Sequence, residues 1–412
     1  MPTDDLQLGA NQDLVSLKIG GVEVGALANG GISLTESYEI KVSVFQQPAA
    51  FTLRLGWGDT AAKLLQLAKP GTPFQLFIGP NVIQSGTIYS RGVPSASATQ
   101  VEIKGRDYLA RLFDDEVQDE ASFTDKTYFQ LTRKILNVVG LKEEKAGDGT
   151  RFALFGDNEA NRAITSRVKS GRGKKHQTQL VQEIETGVGA GGSKLVYSTI
   201  KATLGTTYYE FLQQQFKLAG LFLWATGSGN FVLARPTADQ DPAFRVLYQR
   251  GQTRKVGNAI DRAYEDDTTM RHALCVCYGR AGTGTNGRSK IRGGFVDEEM
   301  FGYGFQNVRI VHDDDVRTAT QAEYIARKTI AEERRRGWKL DYTLAGHIVP
   351  TIKGGDGYGV WCPDMVTTVD DEELGISGSY YVQDVTFRRN PQTSTTISLM
   401  RPEDLVFAEG LF

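Results

Sequence analysis

From Tyr38 to Val44 the chain alternates strictly. Tyr38, Ile40, Val42 and Val44 are apolar, and Glu39, Lys41 and Ser43 between them are polar. A period of two puts one set on a core and the other on the opposite face of a pleated strand, whereas a helix would scatter both sets around its circumference. Val15, Leu17 and Ile19 repeat the pattern, as do Val101 and Ile103. One helix interrupts these strands. Asp59 or Thr60 can cap it, Ala61, Leu64, Leu65 and Ala68 form its stripe, and Pro70-Gly71 stops it. Residues 1–112 are therefore expected to form a small β-barrel or strongly curved sheet. The 46 glycines against 12 prolines agree with a β-rich chain of many turns.

Residues 113–239 change character. Thr127-Tyr-Phe-Gln130 reads as a capping box, followed by a helical stripe of Tyr128, Leu131, Ile135, Val138 and Val139 and a stop at Gly140. Thr207-Tyr-Tyr-Glu210 repeats the box, Tyr208, Phe211, Leu212, Phe216 and Ala219 repeat the stripe, and Gly220 repeats the stop. In both copies Thr-Tyr is followed by twelve residues ending in Gly, then Leu. An internal duplication and two unrelated, well-capped helices both account for this. After the second helix, LFLWATGSGNFVLARP predicts two strands joined by a tight turn. The intervening 142–206 is polar and Gly-rich, with Arg167, Lys169, Arg172, Lys174 and Lys175 clustered. A solvated loop is favoured there over a phosphate contact, because no aromatic residue interleaves for base stacking.

Residues 240–412 return to strands. Ala273–Gly279 is a short apolar run, and 279–303 reads as a long Gly-rich inserted loop. The strongest helix is predicted over 316–336, with Ala319, Ala322, Ile325, Ala326 and Ile330 buried, Asp313–Asp315 at its start and Arg334–Arg336 at its end, matching the helix dipole. Strands at Leu340–Ala345, Val366–Val369, Tyr380–Phe387 and Thr395–Met400 complete the chain.

Little in this pattern suggests chemistry. Gly282-Thr-Gly284-Thr-Asn-Gly287 fits G-x-G-x-x-G, but no helix follows to present its N-terminus to a pyrophosphate. Cys275 and Cys277 share one strand face and read as small core residues. No Cys-x-x-Cys and no His pair at ligand spacing accompanies them. His176, His272, His312 and His347 are scattered, and His347 reads as a satisfied structural group. The acidic clusters Asp114–Glu116, Glu265–Asp267, Asp313–Asp315 and Asp370–Glu373 sit at element ends as turns or helix starts, although some could line a lumen and repel DNA. No catalytic, cofactor-binding or metal-ligating residue is assigned.

Lys plus Arg number 47 and Asp plus Glu 49, a net charge of −2, which excludes a nucleic-acid scaffold held by bulk charge. Three cysteines argue against a disulfide framework. No basic start followed by an apolar run marks a secretory signal, and no run approaches the ~20 apolar residues of a spanning helix. Folding in a reducing cytoplasm is expected.

The order of these elements resembles the baseplate hub proteins of contractile-tailed phages, the Mu-type hub and late control D family, and the related N-terminal hub part of type VI secretion spike proteins. The residues that carry the resemblance are a strand ending in Gly105-Arg106-Asp107 and the segment from Thr206 to Pro236. The Ala-rich helix leading through Gly337 to a strand and Gly346-His347 adds to it, as do Gly359-Val-Trp361, Val382 to Phe387, and the ending ISLMRPEDLVF. The segments 142–206 and 279–303 look longer than the family pattern.

The resemblance implies an α+β, β-rich fold with two tube-type β-barrels, near 1–112 and within 240–412, and an α/β middle domain at 113–239. It implies a non-enzymatic homotrimeric ring that adapts a sixfold tail tube to a threefold spike. The implied partners are the tail tube protein or tube initiator, the central spike protein, baseplate wedge proteins and the tape measure protein, with genomic DNA passing through the lumen. The implied location is the virion, assembled in the host bacterial cytoplasm. Two other readings are a tail-associated cell-wall hydrolase and a β-rich carbohydrate-binding module. The first would need an appended carboxylate or Cys-His site. The second would need an aromatic platform, whereas Trp57, Trp224, Trp338 and Trp361 are widely separated.

Overall fold

The computed structural model describes residues 14–23, 35–45, 48–57, 59–94, 100–118, 122–123, 127–141, 153–156, 200–202, 204–248, 258–279, 291–350, 358–390 and 392–406. The first elements are β1 (Val15–Ile19), β2 (Val22–Glu23), β3 (Thr35–Ser43), β4 (Ala50–Gly56), α1 (Asp59–Leu67), β5 (Pro73–Ile78), β6 (Asn81–Gly92) and β7 (Gln100–Asp107). Next come α2 (Ala110–Asp114), β8 (Ser122–Phe123), α3 (Tyr128–Val138), β9 (Leu154–Gly156), β10 (Ile200–Lys201), α4 (Tyr208–Phe216), β11 (Phe222–Ala225) and β12 (Phe231–Ala234). Then follow β13 (Phe244–Tyr248), β14 (Ala259–Asp266), β15 (Leu274–Gly279), β16 (Arg292–Val296), α5 (Glu298–Gly302), β17 (Val308–Asp313) and α6 (Ala319–Gly337). The last are β18 (Trp338–Ala345), β19 (Ile348–Pro350), β20 (Tyr358–Val360), β21 (Met365–Asp371), β22 (Ile376–Arg389) and β23 (Thr393–Met400).

The alternating stretches are strands of one 13-stranded sheet, in the order β14-β18-β23-β22-β3-β4-β7-β6-β5-β1-β2, with β13 and β21 attached through β22. The strands from the two ends of the chain thus share a single sheet. Their junction is β22, whose first half pairs with β21 and whose second half pairs antiparallel with β3, setting Phe387 opposite Ile40 and Arg388 opposite Glu39. One hydrophobic core lies beneath both sets, running from Leu17 and Ile40 to Val385 and Leu399. Among the described residues no ladder closes this sheet into a barrel. Asn258 links β13 to β14 instead: its side-chain oxygen accepts from the Leu247 amide at 2.9 Å, and its Nδ2 donates to the Arg245 carbonyl at 2.6 Å.

The two capping boxes form as the sequence predicts. Thr127 Oγ1 accepts from the Gln130 amide at 3.1 Å and Gln130 Oε1 from the Thr127 amide at 3.3 Å; the Thr207 and Glu210 equivalents are both 3.1 Å. Both helical segments also finish alike. The Leu141 amide returns to the Leu136 carbonyl and the Leu221 amide to the Phe216 carbonyl, past Gly140 at φ +79° and Gly220 at φ +67°. That left-handed position is one glycine takes without a Cβ clash. Each helix leads to a strand of the same small sheet, β9 after α3 and β11 after α4. Val138 departs from its predicted stripe: it is 57% exposed.

The third unit packs α6 on β15, β16 and β17, burying Cys275, Cys277, Ala322, Ile325 and Ile330. Within the expected inserted loop at 279–303, residues Arg292–Val296 form β16 and Glu298–Gly302 form α5. Gly293 serves packing: a Cβ there would lie 2.2 Å from the Glu323 amide nitrogen, so α6 rests directly on this strand. The helix also starts later than predicted. Thr318 is its N-cap, accepting from the Gln321 amide, and Ala319 is exposed. Asp313–Asp315 form their own turn, with Asp313 Oδ1 accepting from the Asp315 amide at 3.0 Å, so no acidic residue occupies the first turn. The arginines at 334–336 do occupy the last turn.

Candidate functional site

The large sheet has two chemically opposite faces, and register shows how far each extends. On the core side one cross-strand row reads Thr395, Phe387, Ile40, Phe51, Gly105 and Ile88. On the other side the row Thr343, Thr396, Thr386, Lys41, Ala50, Arg106 and Thr87 runs from β18 to β6. A parallel row reads Ser394, Arg388, Glu39, Thr52, Lys104 and Ser90. Asp261, Ala263 and Glu265 continue this polar face onto β14. The face therefore spans eight strands, β14-β18-β23-β22-β3-β4-β7-β6, and consists mainly of hydroxyls and charged side chains.

The charges on this face are arranged in sets. Glu39 sits between Arg388 and Lys41, each at 2.9 Å, and Glu102 sits between Arg54 at 3.1 Å and Lys104 at 2.7 Å. Partial burial pushes both carboxyls up, but the hydrogen bonds and charges of the flanking cations outweigh it, so both lie below the ordinary glutamate value. Glu265 pairs with Lys339 at 2.7 Å, and Arg106 holds Asp114 through both guanidinium nitrogens. Thr343 and Thr396 hydroxyls meet at 3.2 Å. Exposed pairs of this kind contribute little stability. Their effect is to leave a broad surface on which opposite charges alternate.

Of the sequence-predicted residues, Glu265 stands on this face, while the histidines and cysteines lie elsewhere. His347 is 1% exposed and bridges Tyr38 Oη at 2.7 Å and Thr395 Oγ1 at 2.9 Å, a structural link within the core. Cys275 and Cys277 are fully buried, and burial pushes both thiols up to about 11. His272 meets Glu333 at 3.0 Å, and His312 stacks on Tyr278. His176, the basic cluster at 167–175 and the G-x-G-x-x-G run at 282–287 lie outside the described residues. Among the described residues, no cluster of three or more His, Cys, Asp or Glu side chains could hold a metal.

The acidic clusters are divided among partners. Asp313 pairs with Lys217 at 2.5 Å, and Asp370 with Arg245 at 2.8 Å. Asp371, 1% exposed, takes Arg262 and the Tyr342 hydroxyl. Desolvation raises its carboxyl, but the Leu374 amide, Arg262 and Tyr342 bring it below the usual value. Trp224, Trp338 and Trp361 are buried while Trp57 is 58% exposed, so the tryptophans do not form a platform.

The polar sheet face was not predicted as a unit, because it depends on β22 meeting β3 across more than three hundred residues. The available signal was the alternation itself, since Glu39, Lys41 and Arg388 are the polar members of alternating runs.

No protein-family model matches the chain, and no curated protein matches it in sequence. Solved structures share its fold. The 43 kDa tail protein of prophage MuSo2 from Shewanella oneidensis superposes with a TM-score of 0.69 at 17% identity, covering 95% of this chain and 99% of that one. The tail protein from Neisseria meningitidis MC58 gives 0.67 at 17% identity, covering 96% and 98%. The half-lidded Francisella PdpA–VgrG complex gives 0.51 at 10% identity, covering 95% of this chain and 58% of the matched chain. The chain thus shares the fold of these phage tail proteins over 95–96% of its length. No helix among the described residues is long and apolar enough to cross a membrane.

Proposed function

We propose that this chain is the structural hub of a contractile phage-tail baseplate or a related injection particle. Three copies form a ring that joins the sixfold tail tube to the threefold spike, and the polar sheet face lines the passage for DNA. The observation that carries this reading is the eight-strand polar face. It is broad, hydroxyl-rich and neutralised in place, while its reverse side is a continuous core. Phosphate binding rests on cations free to release counterions. Here the cations of β3, β4, β7 and β22 are shared around Glu39 and Glu102, so a polyanion can pass without being held. The shared fold with two tail proteins over nearly the whole chain supports the same reading.

In this reading residues 1–112 and 240–412 supply the two tube-like parts, and 113–239 braces them from outside. The partners are the tube protein or tube initiator above, the spike below, and wedge and tape measure proteins around and within. The chain works in the virion, after assembly in the host bacterial cytoplasm, and its role is structural. The test is mass measurement with particle imaging of the purified chain. Threefold rings with a hole wide enough for duplex DNA are expected. Particles that remain monomeric at tens of micromolar would overturn the reading.

A further inference from the structure

The three-stranded sheet of the third unit is apolar on both faces. α6 covers the side that carries Cys275, Cys277 and Val311. On the opposite side the register aligns Val296, Leu274 and Val308 in one row and sets Val276 beside Ile310 in the next. Among the described residues nothing lies over these side chains. Val296 is 38% exposed, Val308 48% and Ile310 58%, while Leu274 and Val276 are half-buried. A Cβ on Gly294, which sits among them, would have three atoms of β15 as its nearest neighbours, none closer than 3.4 Å. A contiguous apolar face of this kind marks an interaction site. β15 and β17 also run parallel, and parallel strands occur almost only in sheets covered on both faces.

The dimensions and charge of the face define the layer that fits it. Three strands place the outer two about 10 Å apart, the width of a single α-helix. From Val296 to Arg292 the face runs about 13 Å, the length of about nine helical residues. Its third row is Arg292, Tyr278 and His312, so one end is basic and no acid stands in any of the three rows. Arg292 is exposed and makes no ion pair among the described residues, and His312 stacks on Tyr278. The described helices of this chain expose only Val138 and Phe301 as large apolar side chains, so none of them offers a second copy an apolar stripe.

We propose that this face docks an amphipathic helix of another protein, with its apolar stripe along β15 and an acidic residue over Arg292. Apolar burial supplies the affinity, as in other helix-in-groove contacts, and the charge fixes which way the helix points. The inference concerns the third unit alone and holds whichever oligomer the chain forms.

A yeast-displayed library of helices of about 15 residues, randomised along one stripe, provides the probe for selection on the purified full chain. Enriched helices are expected to carry an apolar stripe with Asp or Glu at one end. As free peptides in fluorescence anisotropy, they should bind Ile310→Glu about tenfold or more weakly than the wild type, because the new carboxylate lies under the stripe. Arg292→Glu should reverse the preference, so that the same helices with Lys at that end bind better than those with Glu. Both positions are exposed, so circular dichroism should be unchanged in each variant. Failure to enrich any helix, enrichment of basic-ended helices, or binding that neither substitution alters would overturn the proposal. Self-association of the wild type that Ile310→Glu abolishes would also overturn it, since the occupant would then be a second copy.

Discussion

The buried charge cluster that ties α5 to α6 offers a quantitative test of the third unit. Asp297 is 1% exposed and receives Arg334 through Nε at 3.0 Å and Nη2 at 2.7 Å, with Arg271, also 1% exposed, at 3.2 Å. Its Oδ1 accepts from the Glu299 and Met300 amides, capping α5. Removing one partner of a buried pair costs about 3–5 kcal/mol, and losing a cap adds about 1 kcal/mol. Arg271 keeps Glu299 at 2.5 Å and Asp266 at 3.6 Å, which offsets part of this. Asp297→Ala is therefore expected to weaken the unit by roughly 3–4 kcal/mol, and Asp297→Asn, which can still cap, by about 2 kcal/mol.

Cys275 and Cys277 lie in the same core and provide a local probe. Their labelling by a thiol reagent under native conditions should accelerate about 10²–10³-fold in Asp297→Ala, since 1.4 kcal/mol is about tenfold. Exposed Cys362 serves as internal reference. Burial raises the Asp297 carboxyl, but Arg334, the Met300 amide and Arg271 outweigh it and hold it below the ordinary aspartate value. Its contribution is thus complete above the unfolded value of about 4 and is lost as pH falls through the folded value, so the wild type should approach the variant in acid. Less than a fivefold change in labelling at pH 7, or a gap that does not narrow in acid, would refute this account.

Three further outcomes are expected. A Cβ on Gly105 would lie 2.2 Å from Phe51 Cε1 and 2.6 Å from Phe74 Cε1, so Gly105→Ala should cost about 1–3 kcal/mol by overpacking, read as a lowered Tm; an unchanged Tm would count against the packing described. Burial pushes the Asp107 carboxyl up to about 7 despite nearby amides. Wild-type stability should therefore fall as pH rises from about 4 to 7, and Asp107→Asn should remove that slope in urea titrations. Glu39→Gln with Glu102→Gln should unmask the four cations of the polar face and, if the proposed ring forms, make it retain DNA, with a salt slope near −0.9 per cation engaged. Filter binding that stays at background would argue that this face does not meet the duplex.

Local signals were legible and long-range ones were not. The capping boxes at Thr127 and Thr207 and the alternation around Ile40 lie within a few residues, so the sequence shows them directly. The start of α6 was misplaced because three aspartates resemble a first turn, whereas Asp313 caps a turn of its own. Gly293 resembles part of a loop because its need for space comes from α6, some thirty residues on. Two separate barrels were expected from the family resemblance, and nothing local in the alternation of either half reveals that β22 continues onto β3. The polar wall was invisible for the same reason, as its rows are assembled from strands at both ends of the chain.

The junction of β22 with β3 also affects how the chain is made. Arg388 and Glu39 are 349 residues apart, so β3 leaves the ribosome long before its partner. At about 5–20 residues per second the wait is on the order of tens of seconds. During it the early strands can fold among themselves, but β3 remains an open edge. In the proposed ring, a subunit stalled before residue 384 would have half a wall and could not span its arc. On that proposal, completion of synthesis is a condition for incorporation, and a truncated subunit would be excluded by its shape without any separate inspector.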